Sequence, residues 1–506
     1  MKRRTHDVII VGGGAAGLSA ASGCAQLGMK TALIEPHHTG GDCLYYGCVP
    51  SKSLLRSAAV AAGFKYAPDF GIAPSAATAK SSGHEPPRGP VPFRPVASRI
   101  SRIIESIAPH DSPERFRGLG VEVFEQAARF SDAHTLLLAD GERISAPRIV
   151  LATGSRPRPL PIKGIEETGY ITNIDLFSLD ALPASIVILG GGPIGVEMGQ
   201  ALSRLGVAVS ILEAAPQILG REDPDMAAII RRRLLREGVQ IREGVAVVEA
   251  SRRPPGEVQH GKARRGKTQH GKVLLLSDGS KIEADEILMA AGRIGNTEHL
   301  NAEAVGIEVR NGFFAVDHKL RTSIRHILAI GDCNGKHLFT HVAGAEASVA
   351  VRRLALRLPA SMDYRAVPWV TYTEPELASV GYNEQRAREA GLKYRVATVG
   401  MDRNDRARTE SETDGKIKIL YDGRRRILGV QIVGPHAGET VMPAVMAVAR
   451  RWKLGRLLGP ICPYPTVSEI YRTAAGAALT PSLFNARNRA LLRLLFRYRG
   501  TVADNA

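Results

Sequence analysis

Cysteine is scarce in this chain: Cys24, Cys43, Cys48, Cys333 and Cys462 are the five among 506 residues. That is too few and too scattered for a secreted disulfide scaffold, so a close pair is there for chemistry and a cytoplasmic, reducing setting is expected. Aromatic residues make up only 5 %, yet 44 % of the chain is hydrophobic and 52 residues are glycine. This balance argues against disordered and fibrous classes and favours a glycine-rich nucleotide-binding α/β enzyme. No run approaches the about 18 apolar residues that cross a bilayer. The opening Met1-Lys2-Arg3-Arg4 with its apolar sequel is interrupted by Gly12, Gly13, Gly14 and Gly17, which suits a buried first strand better than a signal peptide. The length implies two to four domains.

The net charge of +17 raises the question of an anionic partner, and its distribution answers part of it. Segment 252–272 holds seven Lys/Arg and one Glu, and segment 485–499 holds five Arg and no acid, so most of the excess sits in two short pieces. No nucleic-acid motif accompanies them, and nucleic acid is not expected as a partner. Segment 74–92, rich in Ala, Ser, Gly and Pro, reads as a flexible insertion, and 252–272 as a basic, solvated one. Between and around them, Ile100, Ile103, Ile104 and Ile107 recur at helical spacing. After Pro481 a basic helical tail is expected, with Leu491, Leu494, Leu495 and Tyr498 on one side and Arg489, Arg493 and Arg497 on another. Docking of that helix on the protein is the expectation, and peripheral membrane contact the alternative.

Two βαβ openings are legible. His6 to Val11 is β-branched and apolar, a glycine turn follows, an Ala-rich helix runs to about Leu27, and Thr31 to Ile34 is strand again. Gly12, Gly14 and Gly17 stand between strand and helix as G-x-G-x-x-G, and Glu35 ends the next strand. The glycines admit a pyrophosphate to the helix N-terminus, while Glu35 can accept hydrogen bonds from an adenosine ribose. Gly190, Gly192 and Gly195 repeat the pattern and Glu213 repeats Glu35, so two dinucleotides are implied. A carboxylate at Glu213 would repel a ribose 2′-phosphate, favouring NADH, with NADPH kept open by Arg221 nearby in sequence.

Directly after the first unit comes Gly40-Gly41-Asp42-Cys43-Leu44-Tyr45-Tyr46-Gly47-Cys48-Val49-Pro50-Ser51-Lys52. Two cysteines five apart can close a small redox ring, and a thiol at a helix start near Lys52 should persist as thiolate.

This stretch closely resembles the active site of the class I pyridine nucleotide-disulfide oxidoreductases, which include dihydrolipoamide dehydrogenase, glutathione reductase and mercuric reductase. The resemblance extends to Ala152-Thr153-Gly154-Ser155, Ala291-Gly292-Arg293 and Ala329-Ile330-Gly331-Asp332. It implies FAD as cofactor, contacted by Thr153, Gly154, Gly331 and Asp332, the aspartate on the ribityl chain, with Gly292 also at a nucleotide. It implies Cys48 as the flavin-side thiol, Cys43 as the thiol that meets the acceptor, and a Lys52–Glu197 ion pair beside the flavin. The fold implied is α/β: an FAD domain from 1–160 and 293–363, an NAD(P) domain at 161–292, a C-terminal α+β dimerisation domain at 364–480, and the tail 481–506. A homodimer is implied, each C-terminal domain closing its partner's site.

One departure concerns the acceptor. Disulfide-reducing members carry a His that shuttles a proton, with Glu five residues on; here Tyr464 holds the His position and Glu469 the Glu position, within Cys462-Pro463-Tyr464-Pro465-Thr466. A phenol with pKa near 10 is a poor proton shuttle. Mercuric reductase also has a tyrosine there, although the vicinal cysteines and metal-binding module that deliver mercuric ion are not seen in this sequence. The expectation is therefore a reductase of mercuric-reductase type passing electrons to a small-molecule or metal-ion acceptor, with dihydrolipoamide dehydrogenase or quinone reductase activity as alternatives, and with no resident metal. Tyr45 stands where the family usually has Asn, and Cys24 and Cys333 are expected to be inert.

Overall fold

The computed structural model describes residues 4–72, 91–253 and 271–500. Most of the two expected insertions, 73–90 and 254–270, lies outside the described residues. The strands Val247–Arg252 and Lys272–Leu276 that flank the second one pair antiparallel, with Arg252 opposite Lys272, so both ends of the assigned insertion are sheet.

The first unit comprises 1–220 and 234–364. Its strand Val8–Val11 is an unbroken apolar run because both faces of its sheet are covered, as parallel strands require. It lies at the centre of a five-stranded parallel sheet in the order Ile327–Ala329, Ile149–Leu151, Val8–Val11, Thr31–Ile34, Val121–Phe124. A second parallel sheet, ordered Gln240–Glu243, Ala208–Glu213, Ser185–Leu189, Glu286–Met289, repeats the design. In each sheet the glycine turn follows the strand whose neighbours on its two sides are reached by crossovers in opposite directions. Loops at the carboxyl ends of such strands form the crevice where dinucleotides bind. The helix Phe93–Ile107 carries the isoleucine stripe; Ile100 is fully buried, while Ile103, Ile104 and Ile107 are half-buried.

The second unit, 221–233 with 365–506, is built on a five-stranded antiparallel sheet, Pro368–Thr371, Glu376–Gly381, Ile427–Gly434, Lys416–Tyr421, Arg395–Gly400. Residues from the helices Met442–Ala449 and Ile470–Leu483 share its core. Segment 221–233, placed in the nucleotide domain by the sequence reading, groups here instead. The reason is polar: buried Glu222 accepts from Trp369 Nε1 (2.5 Å), Ser379 Oγ (2.7 Å) and Gln431 Nε2 (2.6 Å). Lys418 Nζ meets Asp223 (3.0 Å), Asp225 (2.6 Å) and Glu384 (2.8 Å). A chain carrying two buried carboxylates must stay with the donors that satisfy them.

Two further expectations change at the end of the chain. Pro481 lies inside the helix Ile470–Leu483, so the boundary drawn there falls within an element. The tail helix Ala486–Phe496 forms, but among the described residues nothing covers it: none of its residues is buried. Tyr498 lies beyond its left-handed cap residue, Arg497.

Candidate functional site

The first glycine turn is dictated by close backbone approaches. At Gly12, φ is +110°, and a Cβ would sit 2.2 Å from the Ala152 carbonyl oxygen; at Gly17 a Cβ would sit 1.8 Å from the Gly12 oxygen. Only glycine lets strand and helix come this near. The helix Ala15–Gln26 then starts at Gly14 with no side-chain cap, leaving its first amides for an anion. Glu35 accepts from the Gly13 amide (2.6 Å) and the His37 amide (2.9 Å), which fixes its carboxylate at the mouth of the turn.

Five other parts of the sequence converge near it. Thr153 Oγ1 donates to the Asn296 carbonyl (2.7 Å), and Gly154 turns the chain at φ +72° with open space around it. Ser155 Oγ donates to Asp332 (2.7 Å) while accepting from Arg293 Nε (2.7 Å), and the Arg293 guanidinium also lies 3.2 Å from Asp42. Burial pushes the Asp332 carboxyl up, against the opposing effects of Ser155 and Arg293. The Gly331 amide (2.6 Å) and Asn334 (2.8 Å) donate to the fully buried Glu346. Orphan amides, uncrowded glycine and a fixed carboxylate make a donor and acceptor set that fits FAD.

The second turn matches the first in detail. Gly190 has φ +111°, Gly195 would place a Cβ 1.9 Å from the Gly190 oxygen, and Gly192 starts the helix Pro193–Arg204 uncapped. Around Gly192 and Gly292 there is open space. Glu213 accepts from the Gly191 and Ala215 amides, both at 2.7 Å, leaving lone pairs for a ribose hydroxyl. Arg221 falls in the other unit, where its carbonyl accepts from Asn383.

Cys43 lies in the short helix Gly41–Tyr45, and Cys48 is the first residue of the helix Cys48–Tyr66, with Lys52 one turn on. The two thiols hydrogen bond to one another. That bond from Cys43 is the main reason the Cys48 thiol is lowered to about 6; Thr340, 3.4 Å away, and the Lys52 charge add to it against burial and Asp42. Cys43 moves the other way, held protonated chiefly by its bond to Cys48 and by burial. The arrangement is a thiol donating to a thiolate. Within the single chain Cys48 is exposed and Cys43 half-buried. Cys48 begins a helix after the Gly47 bend, whereas Cys43 lies within the preceding helical turn. Lys52 Nζ lies 2.9 Å from Glu197, whose side chain is only 5 % exposed on the helix of the second turn.

In the second unit, Tyr464 is 71 % exposed and donates to Asp405 (3.0 Å), a bond that pushes its phenol pKa up. Cys462 and Glu469 are half-buried on the same stretch. Cys24 and Cys333 are buried, and burial pushes their thiols up to about 11 and about 12. Sequence reasoning missed Thr340, Ser155 with Arg293, and Glu346. Thr340 lies 292 positions from Cys48 and carries no local signal. Arg293 and Ser155 stood within motifs already quoted and could have been found there.

Comparisons with known proteins agree with this geometry. Residues 6–349 match the pyridine nucleotide-disulphide oxidoreductase model, and residues 367–475 match that family's dimerisation domain, as a homodimer requires. A dihydrolipoyl dehydrogenase of Geobacillus stearothermophilus is 32 % identical, over 94 % of this chain and 96 % of its own. A mercuric reductase of Lysinibacillus sphaericus is 29 % identical, over 93 % of this chain and 82 % of its own. A copper(II) complex of the HOCl-induced flavoprotein disulfide reductase RclA of Escherichia coli superposes with a TM-score of 0.80 at 27 % identity, over 94 % of this chain and all of its own. The chain belongs to the pyridine nucleotide-disulphide oxidoreductases, enzymes that use FAD and a pyridine nucleotide.

Proposed function

We propose that this FAD-dependent NAD(P)H oxidoreductase delivers its electrons to a soft, thiophilic metal ion rather than to an ordinary disulfide. Gly12, Gly14, Gly17, Glu35, Thr153, Gly154, Gly331 and Asp332 would hold FAD, which would supply the hydride-accepting chemistry that links the reduced nucleotide to the Cys43–Cys48 disulfide. Cys48 acts as the flavin-side thiolate and Cys43 as the thiol that engages the acceptor. Thr340 and Lys52 hold negative charge at Cys48, and Glu197 holds Lys52 in place. Glu213 selects NADH over NADPH, and the cytoplasm supplies that nucleotide.

The observation that carries the reading is Tyr464, a phenol committed to Asp405 and pushed further from the range of a proton shuttle. Reducing a bound metal ion requires no proton for a leaving thiol, and thiolates select soft metals. For mercuric ion the balance is NADH plus Hg(II) giving NAD⁺, elemental mercury and one proton. The relatives named mercuric reductase and the copper complex are consistent with this choice. Disulfide reduction of lipoamide is the second reading, favoured by the 32 % identity to a dihydrolipoyl dehydrogenase.

Steady-state NADH oxidation with mercuric ion in excess thiol, against lipoamide and glutathione disulfide, separates the two. Mercuric ion reduction with feeble disulfide turnover is expected, and Tyr464→His should gain disulfide reductase activity by on the order of 10²-fold. Fast lipoamide turnover by the unmodified enzyme, or no response to mercuric ion, removes the metal reading.

A further inference from the structure

The helix Ala486–Phe496 follows the stretch matched by the dimerisation domain and none of its residues is buried. Leu494 is 78 % exposed and Leu495 61 %, with Phe484, Leu491, Phe496 and Tyr498 also exposed. At 100° per residue, Leu491, Leu494 and Leu495 share an arc of roughly 100°, and Arg489 and Arg493 lie on the opposite side. Arg487 falls within the apolar arc, where its long stem can lie along the surface with its head at the polar boundary. The five arginines of 485–499 have no acidic residue among them, and among the described residues none is paired with a carboxylate. Among the described residues Arg489 and Arg493 donate to the carbonyls of Phe484 and Gly500, which carry no formal charge to compensate theirs.

We propose that this helix docks the enzyme on an anionic lipid surface. Charge complementarity decides the occupant. A second copy of the helix would bring five more arginines and no carboxylate against the first. A nucleic acid would answer the arginines and leave the leucines in water. A bilayer with anionic headgroups answers both at once, because a helix lying in the interface buries its apolar side about 5–10 Å deep while its cationic side stays among the phosphates. The homodimer carries two such helices.

Sedimentation of the FAD-loaded, full-length enzyme with vesicles tests this, using phosphatidylcholine alone and phosphatidylcholine with about 30 mol % phosphatidylglycerol. Binding to the anionic vesicles only, weakened by raised salt, is expected. Each arginine near such a surface is worth roughly fivefold in partitioning, so replacing Arg487, Arg489 and Arg493 by Gln together should cost about 10²-fold. Replacing Leu491, Leu494 and Leu495 by Ser should cost a similar factor with the charge unchanged. Retained flavin colour and dimer mass in both triple variants show that the fold is intact. The proposal is overturned by equal binding to neutral vesicles, by absence of binding, or by a Ser variant that sediments like the parent. Loss of the dimer in either variant also overturns it and assigns the helix to the second subunit.

Discussion

Replacing Cys43 tests the thiol–thiolate arrangement quantitatively. With Cys48 lowered to about 6, roughly nine-tenths of it is thiolate at pH 7. The largest contribution is the hydrogen bond from Cys43. A hydrogen bond to a charged acceptor is worth about 1.5–3 kcal/mol, and a pH unit corresponds to about 1.36 kcal/mol, so deleting the donor should raise the midpoint by roughly one to two pH units. Cys43→Ala deletes it; Cys43→Ser keeps a hydroxyl donor. Neither variant can form the disulfide, so both should show, without reductant, the long-wavelength charge-transfer absorbance of a thiolate against oxidised FAD. The sign follows from thiolate being the absorbing form: the band is present at high pH and fades as pH falls through the Cys48 pKa. In Cys43→Ser the midpoint should stay near that of the parent arrangement. In Cys43→Ala it should climb, leaving between a half and a tenth of Cys48 ionised at pH 7. Thr340→Val placed on the Cys43→Ser background should shift the midpoint in the same direction by less, since its bond is the weaker contribution. Identical midpoints in Ser and Ala would refute the hydrogen-bond argument, and a band that survives in Cys48→Ala would refute the assignment of the thiols.

Three more outcomes are expected. Glu213→Ala should narrow the preference for NADH over NADPH in kcat/KM, and an unmodified enzyme that prefers NADPH would contradict the role given to Glu213. Gly192→Ala meets no protein atom within 4 Å, so the protein should keep its flavin and its melting temperature while KM for the nucleotide rises; an unchanged KM would show that the nucleotide backbone does not pass there. Lys418→Met removes the cation from Asp223, whose side chain is 3 % exposed, and should cost about 3–5 kcal/mol in urea unfolding. A loss below about 1 kcal/mol would mean that Asp223 is satisfied by the Glu384 and Gln385 amides alone.

The sequence by itself determined what is local. Continuous apolar runs such as Val8–Val11 and Ile186 to Leu189 specify doubly covered parallel strands, and the glycines after them are readable because a Cβ at Gly12 or Gly190 would strike backbone. Cys43 and Cys48, five residues apart, announce a redox pair for the same reason. Tertiary structure decided whatever depends on partners distant in the chain. It brings Thr340 to Cys48 and Glu197 to Lys52, sets which thiol keeps the proton, and gives Asp332 its Ser155 and Arg293 neighbours. It moves 221–233 into the second unit, because the buried carboxylates of Glu222 and Asp223 need donors on strands about 150 to 200 positions away, and unpaired buried charge is too costly to sustain. It also leaves the tail helix bare: helical periodicity records that one side is apolar, but whether that side is covered depends on surfaces the periodicity does not contain.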